Sequence, residues 1–348
     1  MRSAPRQPGL SERPARRPVH GVLLVDKPLG PSSTQLLGRV KALFRAQKAG
    51  HGGTLDPMAS GLLPILFGEA TKFAQVGLDA DKSYRASIRL GQTSSTGDAE
   101  GALTSPVSVG CSLAQVQQAL ADCTGTQLQT PPMYSALKHQ GRPLYAYARE
   151  GQDIARAPRS ITVYAIALVS WQSPDLVIDV RCSKGTYIRS LAESIGMRLG
   201  CGAYLTALRR TGLAEFGEAD LVTMEAIISQ AQSSPLSGDA PADFTRLDRF
   251  LLPVDALIAS WPEVALSGEQ ARDFVQGRRL SCALSIPHPA DGQGIRVKDP
   301  SQRFLGVGHF SLGVLSPKRL VASDSSSTPS LGDSSHAPVA QHRHHCPR

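Results

Sequence analysis

The chain has 348 residues, 37 Lys plus Arg against 29 Asp plus Glu, and a formal net charge of +8 with a pI near 9.3. Hydrophobic residues make up 41%, enough to bury a core in about two domains and too many for a wholly disordered chain. No apolar run approaches the ~18–20 residues of a membrane span, and the opening MRSAPRQPGLSERPARRP has no apolar signal core, so a transmembrane protein and a Sec signal are both excluded. The basic surplus points to a polyanionic partner, most simply nucleic acid. The six cysteines are scattered with no CxxC pair, which predicts reduced thiols rather than a zinc ribbon or redox motif.

In chain order, residues 1–18 hold five Arg, one Glu and four Pro, and are expected to form a disordered basic arm. That arm supplies +4, half of the total. Val22, Leu23, Leu24 and Val25 form a short apolar strand stopped by Asp26-Lys27-Pro28. Pro31-Ser32-Ser33 opens a helix with Leu36, Leu37, Val40 and Phe44 at helical spacing. Residues 83–90 alternate strictly, with Tyr84, Ala86, Ile88 and Leu90 on one face, as in a half-buried strand. Ser112 and Gln115 make a capping box ahead of a Leu113/Val116/Leu120 stripe. Residues 161–169 are apolar on both faces and read as a central strand. Residues 176–182 alternate again, Lys184-Gly185-Thr186 turns, and Leu191, Ile195 and Leu199 mark a following helix. A Ser/Pro/Gly/Ala-rich linker is predicted at 231–243, then a small β-rich module with Gly306, Gly308 and Gly313 turns. The tail ends HRHHCPR; His342, His344, His345 and Cys346 are read as a solvated cluster rather than a closed metal site. The predicted order is an arm (1–18), a large α+β domain (19–249), a small β-rich domain (250–316) and a disordered tail (317–348).

Two constellations can carry chemistry. The first is Gly50-His51-Gly52-Gly53-Thr54-Leu55-Asp56-Pro57-Met58-Ala59-Ser60-Gly61. Its glycines resemble a phosphate loop, but neither GxGxxG nor GxxxxGK[ST] is present. Pro57 disfavours a helical Asp56 and holds it in an extended loop. The simpler alternative is an Asp-Pro turn with an Asx hydrogen bond. The second, Ser183 to Ser190, lies at a strand end that opens a helix. Its alternative is a plain turn with exposed Lys184 and Arg189. If Arg189 faces Asp56, its guanidinium orients the carboxylate and lowers its pKa. An aspartate so held can act as nucleophile or general base.

Beyond these two, several blocks stand in order along residues 20–215. They are Val25-Asp26-Lys27-Pro28 with Gly30-Pro31-Ser32-Ser33, His51 to Gly61, Lys82-Ser83-Tyr84-Arg85-Ala86, Pro131-Pro132-Met133-Tyr134-Ser135-Ala136-Leu137-Lys138, Gly185-Thr186-Tyr187-Ile188-Arg189-Ser190-Leu191-Ala192 and Leu208-Arg209-Arg210-Thr211. Together they closely resemble the TruB family of pseudouridine synthases. The run from Gly141 to Gly151 is similar to the bacterial branch, which modifies tRNA without a guide RNA. Gly52 departs from the Thr usual in the family.

The resemblance implies a pseudouridine synthase fold: a mixed, largely antiparallel sheet with flanking helices, plus a PUA-like C-terminal domain that grips RNA. It implies conversion of uridine to pseudouridine at position 55 in the T loop of tRNA, by flipping the base out of its stack. No metal or organic cofactor is expected. By the same resemblance Asp56 is the nucleophile and Arg189 its partner. Tyr84 stacks on the uracil and handles a proton, His51 fills the gap in the RNA, and Tyr187 and Leu208 line the pocket. Lys27, Lys72 and Lys138 are candidate phosphate contacts. The expected partner is the tRNA T stem-loop, with no membrane and no guide RNA, for a monomer in the cytoplasm. Two other readings stay open: a guide-RNA-dependent relative, and a noncatalytic RNA-folding protein that keeps the fold. The bacterial-type run and the intact Asp56, Tyr84 and Arg189 argue against them.

Overall fold

The computed structural model describes residues 15–232, 243–281 and 294–322. The arm at 1–14, the bulk of the linker (233–242) and the tail from 323, with its His/Cys cluster, lie outside the described residues. The first half of the chain forms β1 (Gly21–Lys27), α1 (Ser33–Leu43), β2 (Ala49–His51), β3 (Ala59–Phe67), α2 (Ala74–Asp79), β4 (Lys82–Leu90), α3 (Leu113–Asp122) and β5 (Gly125–Gln129). Then come β6 (Lys138–His139), β7 (Arg142–Pro143), α4 (Leu144–Arg149), β8 (Arg159–Gln172), β9 (Asp175–Cys182), α5 (Ile188–Arg198), β10 (Ala203–Leu213), β11 (Val222–Thr223), α6 (Met224–Gln232) and α7 (Thr245–Asp248). The C-terminal part adds β12 (Glu263–Ala265), α8 (Gly268–Val275), β13 (Leu280–Ser281), β14 (Ile295–Lys298), β15 (Phe304–Ser311) and β16 (Val314–Leu320).

The main sheet runs β11-β1-β3-β10-β4-β9-β8-β5, with β2 also paired to β3. Only β1/β11 and β3/β10 pair in parallel, so the sheet is mixed and largely antiparallel, as expected. Helices α1, α3 and α5 lay apolar stripes on one face, and Leu36, Val40, Val116, Leu120, Leu191 and Ile195 join the main core. Both α1 and α3 begin with full capping boxes, Ser32 with Gln35 and Ser112 with Gln115. In β4 the alternation is realised, with Tyr84, Ala86, Ile88 and Leu90 buried.

The expectation of a central strand at 161–169 needs correction. β8 lies second from the sheet edge, and Tyr164 and Val169 are exposed. Much of its apolar surface is left exposed, so composition misplaced it. The true centre is β3, β10 and β4. The strand character of β3 is hidden behind the glycine-rich run that precedes it.

The C-terminal module is a five-stranded sheet, β12-β14-β15-β16-β13, with its own core around Leu266, Phe274, Val297 and Leu315. Two expected boundaries shift. Residues 251–258 pack on the large domain: Leu252 bridges Val22, and Leu257 joins Val22, Leu62 and Leu66. At the other end, β16 continues to Leu320, past the expected start of the tail at 317. The module is clamped to the large domain. Phe73, Ile258, Val307 and Val321 form a shared cluster, and the Phe73 and Phe304 rings lie 5.7 Å apart. Lys72 Nζ donates to Leu320 O at 2.7 Å, and Ala322 N donates to Glu69 Oε2 at 2.8 Å.

The tightest backbone approach in the main sheet is at Gly61, where φ is +97° and an added Cβ would lie 2.2 Å from Arg210 O. Gly61→Ala is therefore expected to destabilise the fold by about 2 kcal/mol or more, combining left-handed strain with a collision between β3 and β10. Equilibrium denaturation would show it; a midpoint equal to wild type would contradict the account.

Candidate active site

Asp56 sits in the loop 52–58, between β2 and β3. Nearly every anchor of this loop is a buried polar group on a neighbouring element. Ser33, at the start of α1, accepts from Leu55 N at 2.8 Å and donates to Leu55 O at 3.0 Å. Gly30 N donates to Pro57 O at 2.9 Å. The fully buried Lys27 ammonium donates to Pro28 O (3.0 Å), Pro57 O (3.4 Å) and Ala59 O (2.6 Å). Arg210 Nη1 donates to Thr54 O at 3.4 Å. Leu55 is sunk in the core, while the Asp56 side chain stays 38% exposed. The loop is thus rigid in its backbone and open at one carboxylate.

Arg189, near the start of α5, meets that carboxylate: Nη2 lies 3.0 Å from Asp56 Oδ2. The same guanidinium is 3.4 Å from Asp98 Oδ2 and donates to the carbonyls of Thr96 (3.0 Å) and Tyr134 (2.6 Å). Asp98 is buried and is itself fixed by Thr96 Oγ1 at 2.6 Å and Glu100 N at 3.1 Å. Sequence reasoning paired Arg189 with Asp56 and missed Asp98, which no spacing rule connects to either residue. It also predicted a lowered Asp56 pKa. Burial instead pushes the Asp56 carboxyl above its ordinary value; Arg189 and Lys27 pull down and Asp98 pushes up. The guanidinium orients the carboxylate but divides its charge between two of them.

Tyr84 lies on the buried face of β4, and burial raises its phenol pKa. The register of β10 on β4 places Leu208 opposite Ala86 and Arg210 opposite Tyr84. Leu208 is also level with Ala59 of β3, at the end of the Asp56 loop. Tyr187 caps α5, its backbone held reciprocally by the Gln129 side chain at 2.8 and 3.0 Å. His51 ends β2 at the mouth of the loop; its Nδ1 is buried without a partner, and burial lowers its pKa. Asp56 therefore lies within electrostatic reach of Arg189, Tyr84 and Tyr187, with Leu208 on the neighbouring β10 and His51 at the end of β2.

The three lysines fare differently. Lys27 is fully buried and spent on loop carbonyls, so it does not present an ammonium to a phosphate. Burial lowers its pKa to about 8, against the pull of Asp56. Lys72 is tied to Glu69 at 2.6 Å and to Leu320 O. Lys138 is exposed on the β6–β7 hairpin. Among the described residues no cluster of three or more His, Cys, Asp or Glu side chains could hold a metal, and Cys111, Cys123, Cys182 and Cys201 are free thiols. Gly52 is not forced by its backbone: a Cβ there would meet Pro64, Gly77 and Leu257 at ordinary contact distances of 3.5–3.7 Å.

Comparison with known proteins gives the family. The model of the TruB family pseudouridylate synthase N-terminal domain matches residues 41–188. Models of the C-terminal domains match 189–259 and 262–321. The chain is 50% identical over 316 residues to tRNA pseudouridine synthase B of Burkholderia mallei, covering 90% of this chain and 98% of that one. It is 48% identical over 307 residues to the protein of the same name from Azoarcus sp., covering 88% and 96%. Among solved structures, a Cbf5-Nop10-Gar1 complex superposes with a TM-score of 0.64 at 26% identity, over 83% of this chain and 78% of that one. An H/ACA RNP bound to a substrate RNA containing 2'-deoxyuridine gives 0.66 at 23% identity, over 88% and 86%, a likeness of fold. With its loop aspartate, its arginine partner and a match to the family along most of its length, the chain belongs to the TruB family of pseudouridine synthases.

Proposed function

We propose that this chain isomerises uridine to pseudouridine at position 55 in the T loop of tRNA. The observation that carries the reading is the Asp56–Arg189 pair: an exposed carboxylate on an otherwise anchored loop, in a chain 50% identical to tRNA pseudouridine synthase B. The reaction needs a base outside its stack, because the glycosidic bond and C5 of a stacked uridine are out of reach. In this reading His51 occupies the gap in the RNA, Tyr84 stacks on the flipped uracil, and Tyr187 and Leu208 wall the pocket. Asp56 acts as nucleophile, and Arg189 keeps it ionised and aimed.

The bond from ribose C1′ to N1 breaks, the base turns, and C1′ joins C5. The C5 proton leaves and N1 gains one, so product and substrate have the same atoms. Such an exchange calls for no electron or phosphoryl donor. Binding energy comes from phosphates and shape. The exposed hairpin and α4 offer Lys138, Arg142 and Arg149, with Arg149 stacked on Tyr145 at 5.4 Å. The C-terminal module (262–321), clamped to the large domain, extends this grip to the acceptor side. The match to bacterial relatives along 90% of the chain supports action on tRNA without a guide RNA, in the cytoplasm. No helix among the described residues is long and apolar enough to cross a membrane.

Asp56→Asn is expected to reduce tritium release from a C5-labelled tRNA transcript by roughly three orders of magnitude or more, with filter-measured tRNA affinity within about twofold of wild type. Full activity in the variant would sink the mechanism. Affinity for tRNA should drop steeply with salt, with a log–log slope near −0.9 for each duplex phosphate neutralised; a flat profile would contradict the partner.

A pH profile tests the loop anchor. Activity should decline as pH rises through about 8, where Lys27 loses the proton that ties the loop carbonyls. The folded pKa of Lys27 lies below its unfolded value of 10.5, so the unfolded chain binds more protons in that window. This contribution to stability therefore grows with pH, and the unfolding midpoint should hold or rise between pH 8 and 9 while activity declines. Loss of activity in step with the midpoint would show unfolding instead.

A further inference from the structure

Arg210 is the largest of the fully buried side chains among the described residues, 1% exposed, and beyond its weak tie to the Asp56 loop it has no role above. No carboxylate among the described residues pairs with it. Its Nε donates to Leu62 O at 2.6 Å and its Nη1 to Thr54 O at 3.4 Å, while Nη2 is buried with no hydrogen-bond partner. A buried guanidinium without a counter-ion is expensive, and one donor left over deepens the cost. Folds keep such groups where function needs them more often than where packing does.

Three features of the backbone make room for this charge. Gly53 lies over the guanidinium, where an added Cβ would sit 3.2 Å from Nη1 and 3.3 Å from Nη2. Gly61 lets β3 close onto Arg210 itself. The irregularity in the β4/β10 register falls between Arg210 and Gly212, a place where a bulge re-aims the adjacent side chain. Arg210 stands directly opposite Tyr84 in that register, with both side chains on the buried face.

We infer that Arg210 is a positioning residue for the isomerisation, acting through the Tyr84 hydroxyl: the carbonyls of Leu62 and Thr54 fix the guanidinium, and its free edge holds the phenol in the pocket. Two electrostatic effects agree. Arg210 draws the Tyr84 phenol downward against the burial that raises it, and Tyr84 in turn stabilises the Arg210 charge against burial. The inference rests on the proposed isomerase reading, with Tyr84 in contact with the flipped base.

The test is a double-mutant cycle in full-length protein, read as single-turnover tritium release on the tRNA transcript. Arg210→Lys keeps a charge but lacks the planar fork. It is expected to bind tRNA within about twofold of wild type and to slow the reaction roughly tenfold or more in the Tyr84 background. In the Tyr84→Phe background the same substitution should cost less than about twofold, since the hydroxyl it serves is gone. Equal losses in both backgrounds, or no loss in either, would overturn the inference. If Arg210→Lys does not fold, Gly53→Ala takes its place, because the new Cβ displaces the guanidinium without changing its charge; the same criterion decides. A wild-type protein that releases no tritium would overturn the isomerase reading itself, a different result from an additive cycle in an active enzyme.

Discussion

One guanidinium shared by two carboxylates organises the site. Arg189 reaches Asp56 and Asp98 at once and is pinned by the carbonyls of Thr96 and Tyr134. Those partners come from three separate stretches of chain, the loop before β3, the loop after β4 and the segment before β6, and meet Arg189 at the start of α5. The ion pair therefore exists only when the strand order of the main sheet is complete. Its divided charge also explains why Asp56 is oriented without being driven to an unusually low pKa. Burial and the Asp98 charge outweigh the pull of Arg189.

Around that pair the fold ties several of its cations into internal contacts rather than leaving them free at the surface. Lys27 is tied to three loop carbonyls, Lys72 staples the C-terminal module, and Lys82 donates to Leu78 O and Ala80 O behind α2. Arg210 lies beneath the Asp56 loop. Each of these was counted in a net charge that first suggested a polyanionic partner. Few of them are placed to meet one. On the proposed tRNA reading, the exposed cations of the β6–β7 hairpin and α4 are a better guide to an RNA-facing surface than the total of +8.

Much of the site was legible in particular residues. Pro57 marked Asp56 as a loop residue, the alternation around Tyr84 put it on a buried face, and Ser32 with Gln35 announced α1. What remained hidden has a common cause. Asp98 is an aspartate in a polar loop, and Arg210 one of two adjacent arginines; neither carries a local signal of burial. The strand at 161–169 read as central because its residues are apolar on both sides, yet in the sheet it flanks an edge strand. The module boundary slipped because 251–258 is apolar without periodicity, and only its docking on Val22 and Leu62 assigns it to the large domain.

By itself the sequence determined the family, the mixed character of the fold, the loop that carries Asp56 and the arginine that meets it. The fold character and the loop follow from local chemistry, a proline that fixes its neighbour, glycines that permit close approach and periods of two and 3.6 residues, whereas the family and the arginine came from the resemblance of the ordered blocks. The tertiary structure alone decided which charges are buried, which lysines face inward, that Asp98 shares Arg189 with Asp56 and that Arg210 stands opposite Tyr84. Charge and burial are properties of neighbours, and here those neighbours lie far apart along the chain, 156 residues for Arg210 and Thr54. Such a pairing is made by the register of β10 between β3 and β4, which no local pattern specifies.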